Sequence, residues 1–149
     1  LVIAGELTKN NDYVNRIRRM AEGDERILFT DFVQGRVLEE LMSNCRVYVL
    51  PSDIEGMSIS LLEAMSCGAR CLVSDIEENV ETAGGYARYF PGNVPVLGSC
   101  LESILGEDED LHDREGQMSF VRERYSWDTA VQELLQVYEN VRKKTTAQI

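Results

Sequence analysis

The chain has 149 residues, with 26 acidic and 15 basic side chains and a formal net charge of −11. That length suits one domain, which buries about 70% of the surface of its extended chain. The acidic balance disfavours nucleic acid as a partner, because nucleic-acid binding depends on basic patches. No apolar stretch approaches the roughly 20 residues of a membrane span, so we expect no transmembrane segment.

Short apolar runs alternate with helical patterns over residues 1–90. This alternation predicts an α/β fold, a doubly wound parallel sheet with helices on both faces. The predicted strands are 1–4, 27–30, 47–50, 71–74 and 87–90, and the predicted helices are 11–21, 36–43, 58–66 and 77–83.

The last third of the chain changes character, because helical patterns follow one another there without intervening strands. We expect a helical C-terminal tail formed by residues 96–105, 112–124 and 127–143. Ser126 is predicted to cap the last helix, and the indole of Trp127 is predicted to pack in the core.

The cysteine pattern favours an intracellular protein without a structural metal. Cysteines stand at positions 45, 67, 71 and 100, and His112 is the sole histidine. This set lacks the paired ligands of a zinc site. We expect four reduced, mostly buried thiols in a cytoplasmic protein, with Cys45 and Cys71 at small core positions.

Residues 47–65 form the most informative segment. The apolar run 47–50 is typical of a buried parallel strand, and a Pro-Ser pair ends it. Gly56 then permits a tight turn or the close approach of a ligand. Because Ser58 is predicted to cap the next helix, free backbone N–H groups face the carboxyl edge of the sheet, where an anion binds. These groups belong to Met57, Ser58 and Ile59.

Two carboxylates flank this predicted anion site. Glu55 lies in the turn before the helix, and Glu63 lies in the second helical turn. A carboxylate accepts two hydrogen bonds from a vicinal diol, each contributing roughly 1.5 to 3 kcal/mol. Ribose and hexoses supply such diols. A nucleotide sugar carries a ribose diol, an anionic phosphate and a second diol on its sugar, so it fits this predicted site.

The segment from Glu55 to Glu63 resembles the E-x7-E element of retaining glycosyltransferases with the GT-B fold, of the group 1 or family 4 type. Further matching motifs occur in the order and at about the spacing of that family's donor-binding domain. They are residues 1–5, 29–33, 49–52, 61–68 and 125–127. The resemblance covers roughly residues 1–141 and implies the Rossmann-like C-terminal half of such an enzyme.

The resemblance also implies roles for individual residues. Glu55 resembles the acid near the donor sugar, and Glu63 resembles the acid that holds the ribose hydroxyls. The backbone of 56–59 corresponds to the pyrophosphate cradle, and the base is expected near Phe32 and Val33. The donor would be a UDP-, GDP- or ADP-linked sugar, with no cofactor and no metal required.

Other residues at the predicted sheet edge receive weaker expectations. Gly5 and Glu6 follow the first strand and are expected at the rim of the site. Glu78, Asn79 and Glu81 follow the fourth strand, and we expect them to be the solvated start of a helix rather than pocket lining.

Two positions depart from the family pattern. The family usually carries glycine at the position of Asp31, so a side chain there is expected either to crowd the base loop or to force an unfavourable backbone angle. It usually carries glycine or proline at the position of Ser58. The Arg-Lys pair that neutralises the donor phosphates, and the acceptor-binding domain, precede the first strand in the family.

We therefore expect this chain to be a single domain excised from a larger, bacterial-type, two-domain glycosyltransferase, inactive by itself. For the complete enzyme, peripheral association with the inner face of the membrane is left open as an expectation. Two alternatives also stay open. One is a non-catalytic, glycosyltransferase-like interaction or regulatory module, which Asp31 and Ser58 favour. The other is a flavodoxin-like or receiver-like module, although the clustered acids and lysine of receivers are not evident.

Overall fold

The computed structural model describes residues 1–5, 12–107 and 112–146, without the side chains of 144–146. The chain forms two compact units, residues 1–41 and 42–149. Helix α2 (Arg36–Asn44) spans the boundary between them in the sequence.

The first unit contains a two-stranded parallel sheet and a helix. Strand β1 (Val2–Ala4) pairs with β2 (Leu28–Asp31), and α1 (Asp12–Ala21) lies between them in the chain. The register runs Val2 to Leu28 and Ile3 to Phe29, and then shifts, so that Ala4 pairs with Asp31. The shift leaves one extra residue in β2, which is the property of a β-bulge.

The second unit is built on a three-stranded parallel sheet in the order β3-β4-β5, formed by Tyr48–Leu50, Cys71–Ser74 and Ala87–Phe90. Helix α3 (Ile59–Ser66) connects the first two of these strands, and α4 (Glu77–Ala83) connects the last two. All four residues of the central strand β4 are buried. Burial of this strand explains its continuous apolar run, which is typical of a parallel sheet covered on both faces.

Three consecutive helices follow β5: α5 (Val94–Gly106), α6 (Arg114–Arg124) and α7 (Trp127–Thr146). Ile104 of α5 packs with Leu72 and Phe90 in a buried cluster on the sheet. On α6, the fully buried Gln117 donates its Nε2 hydrogens to the carbonyl oxygens of Met65 and Ala69, at 2.9 and 3.0 Å. This contact joins α6 to the C-terminal end of α3, where the Met65 carbonyl also accepts from the Gly68 amide at 3.0 Å.

The α/β fold class and the helical tail are confirmed, and each predicted strand boundary lies within one residue of the observed one. The described strands divide into two hydrogen-bonded sheets. In the described part of the chain, no helix has the length and apolarity that crossing a membrane requires.

Two burial predictions are wrong in part. The hydroxyl of Ser126 caps α7 by accepting from the Thr129 amide at 3.1 Å, as predicted, but the Trp127 side chain is 86% exposed. No described element covers this face of α7. All four cysteines are free, but only Cys71 is fully buried. Burial raises the pKa of its thiol to about 12.

Candidate functional site

The loop between β3 and α3 is fastened to the end of β4. The hydroxyl of Ser74 donates to the carbonyl oxygen of Ser52 in this loop. Asn79 of α4 then donates from Nδ2 to both the carbonyl and the hydroxyl oxygen of Ser74, at 3.1 Å each. These contacts hold two loops together at the carboxyl edge of the sheet, where ligands of open α/β sheets bind.

The burial of Asn79 corrects one sequence prediction. Its side chain has no exposed surface, whereas Glu78 and Glu81 on the same helix are exposed as expected. A buried amide requires hydrogen-bond partners, and Ser74 supplies them to the nitrogen. Asn79 therefore stabilises the edge of the sheet instead of forming the solvated start of a helix.

Helix α3 begins as predicted. Ser58 is its N-cap, and the Ser58 hydroxyl accepts from the amide of Leu61 at 3.4 Å. None of the described residues accepts a hydrogen bond from the backbone N–H groups of residues 56–59. These groups are open donors at the positive end of a helix dipole, which is an arrangement that suits an anion.

The space in front of Gly56 is also open. A Cβ atom at this position would meet nothing within 4 Å, and its φ lies outside the left-handed region. Turn geometry therefore does not require glycine here. The second role proposed from the sequence, the close approach of a ligand to the backbone, stays a prediction.

The two carboxylates differ in their surroundings. Glu55 is half-buried, and its Oε1 accepts from the Ser52 hydroxyl at 2.6 Å, which fixes its side chain against the loop. Glu63 is exposed on α3, and its carboxylate has no hydrogen bond or ion pair to any described residue. One carboxylate is thus held in place, and the other is available to hydroxyl groups of a ligand.

A row of hydroxyl groups lies behind the first turn of α3. Tyr48 donates to the Ser60 hydroxyl at 2.9 Å, and Ser60 lies 3.3 Å from the Ser58 hydroxyl. Burial raises the pKa of Tyr48, and the charges of Glu55 and Glu63 raise it further. Both carboxylates therefore act electrostatically on this phenol.

The other predicted residues belong to the first unit. Gly5 follows β1 with φ +151° and donates its amide to the carbonyl of Asp31 at 2.9 Å. Phe32, in the loop after β2, is 70% exposed, and Val33 is half-buried. Glu6 lies outside the described residues. An exposed ring after a strand end is available for stacking on a flat ligand.

Asp31 has the strained backbone that the sequence predicted. Its φ is +54°, and it is the only non-glycine residue with positive φ in the described ranges. Its carboxylate lies 3.9 Å from Arg18, with both side chains half exposed. An ion pair of this kind contributes little, so it does not remove the strain.

Sequence reasoning missed the residues that support the site. Tyr48, Ser52, Ser60 and Ser74 were treated as strand, turn or helix positions. A signal was available only for Ser74, which ends β4, and for Ser52, which follows β3, since hydroxyl groups at these positions lie at the ligand edge of the sheet. No cluster of three or more potential metal ligands occurs among residues 1–5, 12–107 and 112–146.

Comparison with known proteins identifies the family of this chain. The model described as Glycosyl transferases group 1 matches residues 1–105. The serotype-specific mannosyltransferase WbdA of Escherichia coli is 29% identical over 121 residues, which are 78% of this chain and 15% of that protein. The N,N'-diacetylbacillosaminyl-diphospho-undecaprenol alpha-1,3-N-acetylgalactosaminyltransferase of Campylobacter jejuni is 52% identical over 75 residues, 48% of this chain and 20% of that protein.

A solved structure gives the same result for the fold. HepE of Anabaena, in complex with UDP-glucose, matches with a TM-score of 0.77 and 18% identity over 93% of this chain and 40% of that one. The chain thus spans between 15% and 40% of the length of these three proteins. Since the family model matches 105 of the 149 residues, the chain belongs to the group 1 glycosyl transferases.

Proposed function

We propose that this chain is the donor-binding part of a retaining glycosyltransferase that uses a nucleotide sugar and requires no metal. The observation that carries the proposal is the open row of amides at 56–59, flanked by Glu55 and Glu63. A diphosphate is the anion that this row suits. The UDP-glucose bound to the related HepE structure supports a nucleotide sugar as the class of ligand.

Each part of the site has one task in this proposal. The amides hold the diphosphate and stabilise the negative charge that grows on it as the sugar leaves. Glu63 accepts hydrogen bonds from the ribose hydroxyls, and Glu55 accepts them from the donor sugar. The expected places of Phe32 and Val33 at the base, and of Gly5 at the rim, stay predictions.

The reaction in the complete enzyme exchanges one bond for another at the anomeric carbon. The bond from this carbon to the diphosphate oxygen breaks, and a bond to the acceptor hydroxyl oxygen forms on the same face. The acceptor proton passes to the leaving phosphate. The acceptor-binding residues and the cations that neutralise the phosphates belong, in this proposal, to the part of the relatives' length that the chain does not match.

Calorimetric titration with UDP, GDP and ADP tests the proposal directly. We expect one of the three to bind, with a dissociation constant in the millimolar range or lower. Glu63→Gln should weaken that binding about tenfold, because a charge-assisted hydrogen bond is replaced by a neutral one. Glu133→Gln, on the exposed face of α7, is the matched control and should bind as the wild type does.

Indifference of the wild-type chain to all three nucleotides would contradict the donor-binding role. That result would favour the non-catalytic interaction module, for which the strained Asp31 is the supporting observation. Equal weakening by Glu63→Gln and Glu133→Gln would instead remove Glu63 from the site.

A further inference from the structure

A continuous series of hydrogen bonds leads from Asn79 to the carboxylate of Glu55. Asn79 donates from Nδ2 to the hydroxyl oxygen of Ser74 at 3.1 Å, and the Ser74 hydroxyl donates to the carbonyl oxygen of Ser52. The hydroxyl of Ser52 then donates to Oε1 of Glu55 at 2.6 Å. The series therefore connects α4, through the last residue of β4, to the loop that precedes α3.

The acceptors fix the direction of every bond in this series. A carbonyl oxygen and an ionised carboxylate carry no hydrogen, so the hydroxyl groups of Ser74 and Ser52 are the donors. Because the single hydrogen of the Ser74 hydroxyl points to a carbonyl oxygen, its own oxygen accepts from Asn79. The Asn79 amide also lies 3.1 Å from the carbonyl oxygen of Ser74, which requires its NH₂ group on this side.

The series begins in the core of the second unit and ends at a partly exposed side chain. Asn79 has no exposed surface and Ser74 is 3% exposed, whereas Ser52 and Glu55 are half-buried. A fully packed side chain keeps one rotamer, and its hydrogen bonds constrain the groups that accept them. Glu55 lies in a loop, but its orientation is thus set by buried residues.

We infer that Asn79, Ser74 and Ser52 are positioning residues that orient Glu55 for contact with the donor sugar. The inference rests on the proposed function, which gives Glu55 this contact. It adds the residues on which selectivity for a nucleotide sugar over the nucleoside diphosphate alone depends. Without its Ser52 partner, the Glu55 side chain must lose rotational freedom when the sugar binds, and this cost lowers the affinity. The diphosphate is held by the backbone of 56–59 and does not share this cost.

Calorimetric titration of the full chain with paired ligands tests the inference. The pairs are UDP with UDP-glucose, GDP with GDP-mannose and ADP with ADP-glucose, and the pair that the wild type binds best is used for every variant. We expect the wild type to bind the nucleotide sugar more tightly than the nucleoside diphosphate. Ser52→Ala and Asn79→Ala should each weaken nucleotide-sugar binding about fivefold and leave nucleoside diphosphate binding unchanged. Ser74→Ala, which removes one oxygen atom, replaces Asn79→Ala if that variant does not fold.

The matched control is Ser119→Ala, because Ser119 makes the same kind of contact on α6, donating to the Glu123 carboxylate at 2.9 Å. It should bind both ligands as the wild type does, and Ser52→Thr, which keeps the hydroxyl, should restore most of the selectivity. In a Glu55→Ala background, Ser52→Ala should have no further effect, because the side chain that it orients is absent.

Equal weakening of both ligands by Ser52→Ala would show a general loosening of the loop and would overturn the inference, as would wild-type affinities in that variant. A further loss in the Glu55→Ala background would do the same. An unaffected Asn79→Ala overturns the role of Asn79. If the wild type binds both ligands of the pair equally, the sugar contact and this inference fall while diphosphate binding stands. Failure of the wild type to bind any of the six ligands overturns the proposed function as well.

Discussion

Asp31 adopts a left-handed backbone conformation, which residues with a Cβ atom disfavour. Left-handed φ values cost a residue with a Cβ atom roughly 1 to 2 kcal/mol, and aspartate tolerates them better than alanine does. The position lies at the shift in register between β1 and β2, where a bulge favours glycine. The sequence predicted the strain here, because a side chain replaces the family's usual glycine.

Replacing Asp31 measures this strain. Asp31→Gly and Asp31→Ala both remove the weak contact with Arg18, so their difference reports the backbone alone. We expect the glycine variant to have the larger free energy of unfolding by about 1 kcal/mol. Urea denaturation followed by circular dichroism gives both values. Equal free energies of unfolding for the two variants would show that residue 31 does not keep a left-handed φ in solution.

Gln117 is a buried side chain that no sequence pattern identified. It joins α6 to the end of α3 through the carbonyl oxygens of Met65 and Ala69. Gln117→Ala should lower the free energy of unfolding by about 2 to 4 kcal/mol, since two carbonyl groups each lose one hydrogen bond and a cavity forms. Gln132→Ala on α7 serves as an exposed control and should change stability by less than about 0.5 kcal/mol. A cost for Gln117→Ala no greater than that of the control would contradict the role in joining the helices.

At the scale of elements, three arginines surround the C-terminal end of α5. Arg46 donates to the carbonyl oxygens of Leu105 and Glu107, and Arg70 donates to that of Ile104. Arg88 holds the Glu107 carboxylate with two bonds of 2.8 and 2.6 Å. Cations are favourable at this end of a helix, because unpaired carbonyl groups give it a partial negative charge.

This arrangement makes stability depend on pH. The bonds from Arg88 hold the pKa of Glu107 below its ordinary value. The resulting stability is present above the pKa of the unfolded chain and is lost as the pH falls through the folded pKa. Between about pH 5 and pH 3, the melting temperature of the wild type should fall more steeply than that of Glu107→Gln. Parallel slopes in thermal denaturation would contradict this contribution.

The order and type of the elements could be predicted from the sequence, because apolar runs and helical periodicity are local properties. The N-cap residues Ser58 and Ser126 were predicted for the same reason. The exposure of α7 could not be predicted, since periodicity shows which side chains share a helix face but not whether another element covers that face. Trp127 was wrongly placed in the core on this account.

At the scale of the whole molecule, the candidate site depends on contacts between segments far apart in the sequence. Ser74 lies 22 residues from Ser52, and the bond between them fastens the loop that carries Glu55. The motif predicted where the carboxylates and amides lie along the chain. It did not predict the hydroxyl groups of Ser74 and Tyr48 that hold this arrangement, because their partners are set by the packing of strands and helices.

The central claim is that the backbone of 56–59 binds a diphosphate, and amide chemical shifts measure this most directly. A ¹⁵N-labelled chain would be titrated with UDP, GDP and ADP and with the corresponding nucleosides. The account predicts that one diphosphate shifts the amide signals of Gly56, Met57, Ser58 and Ile59 more than any others, and that its nucleoside leaves them unshifted. Saturable binding with these four signals unmoved would contradict it.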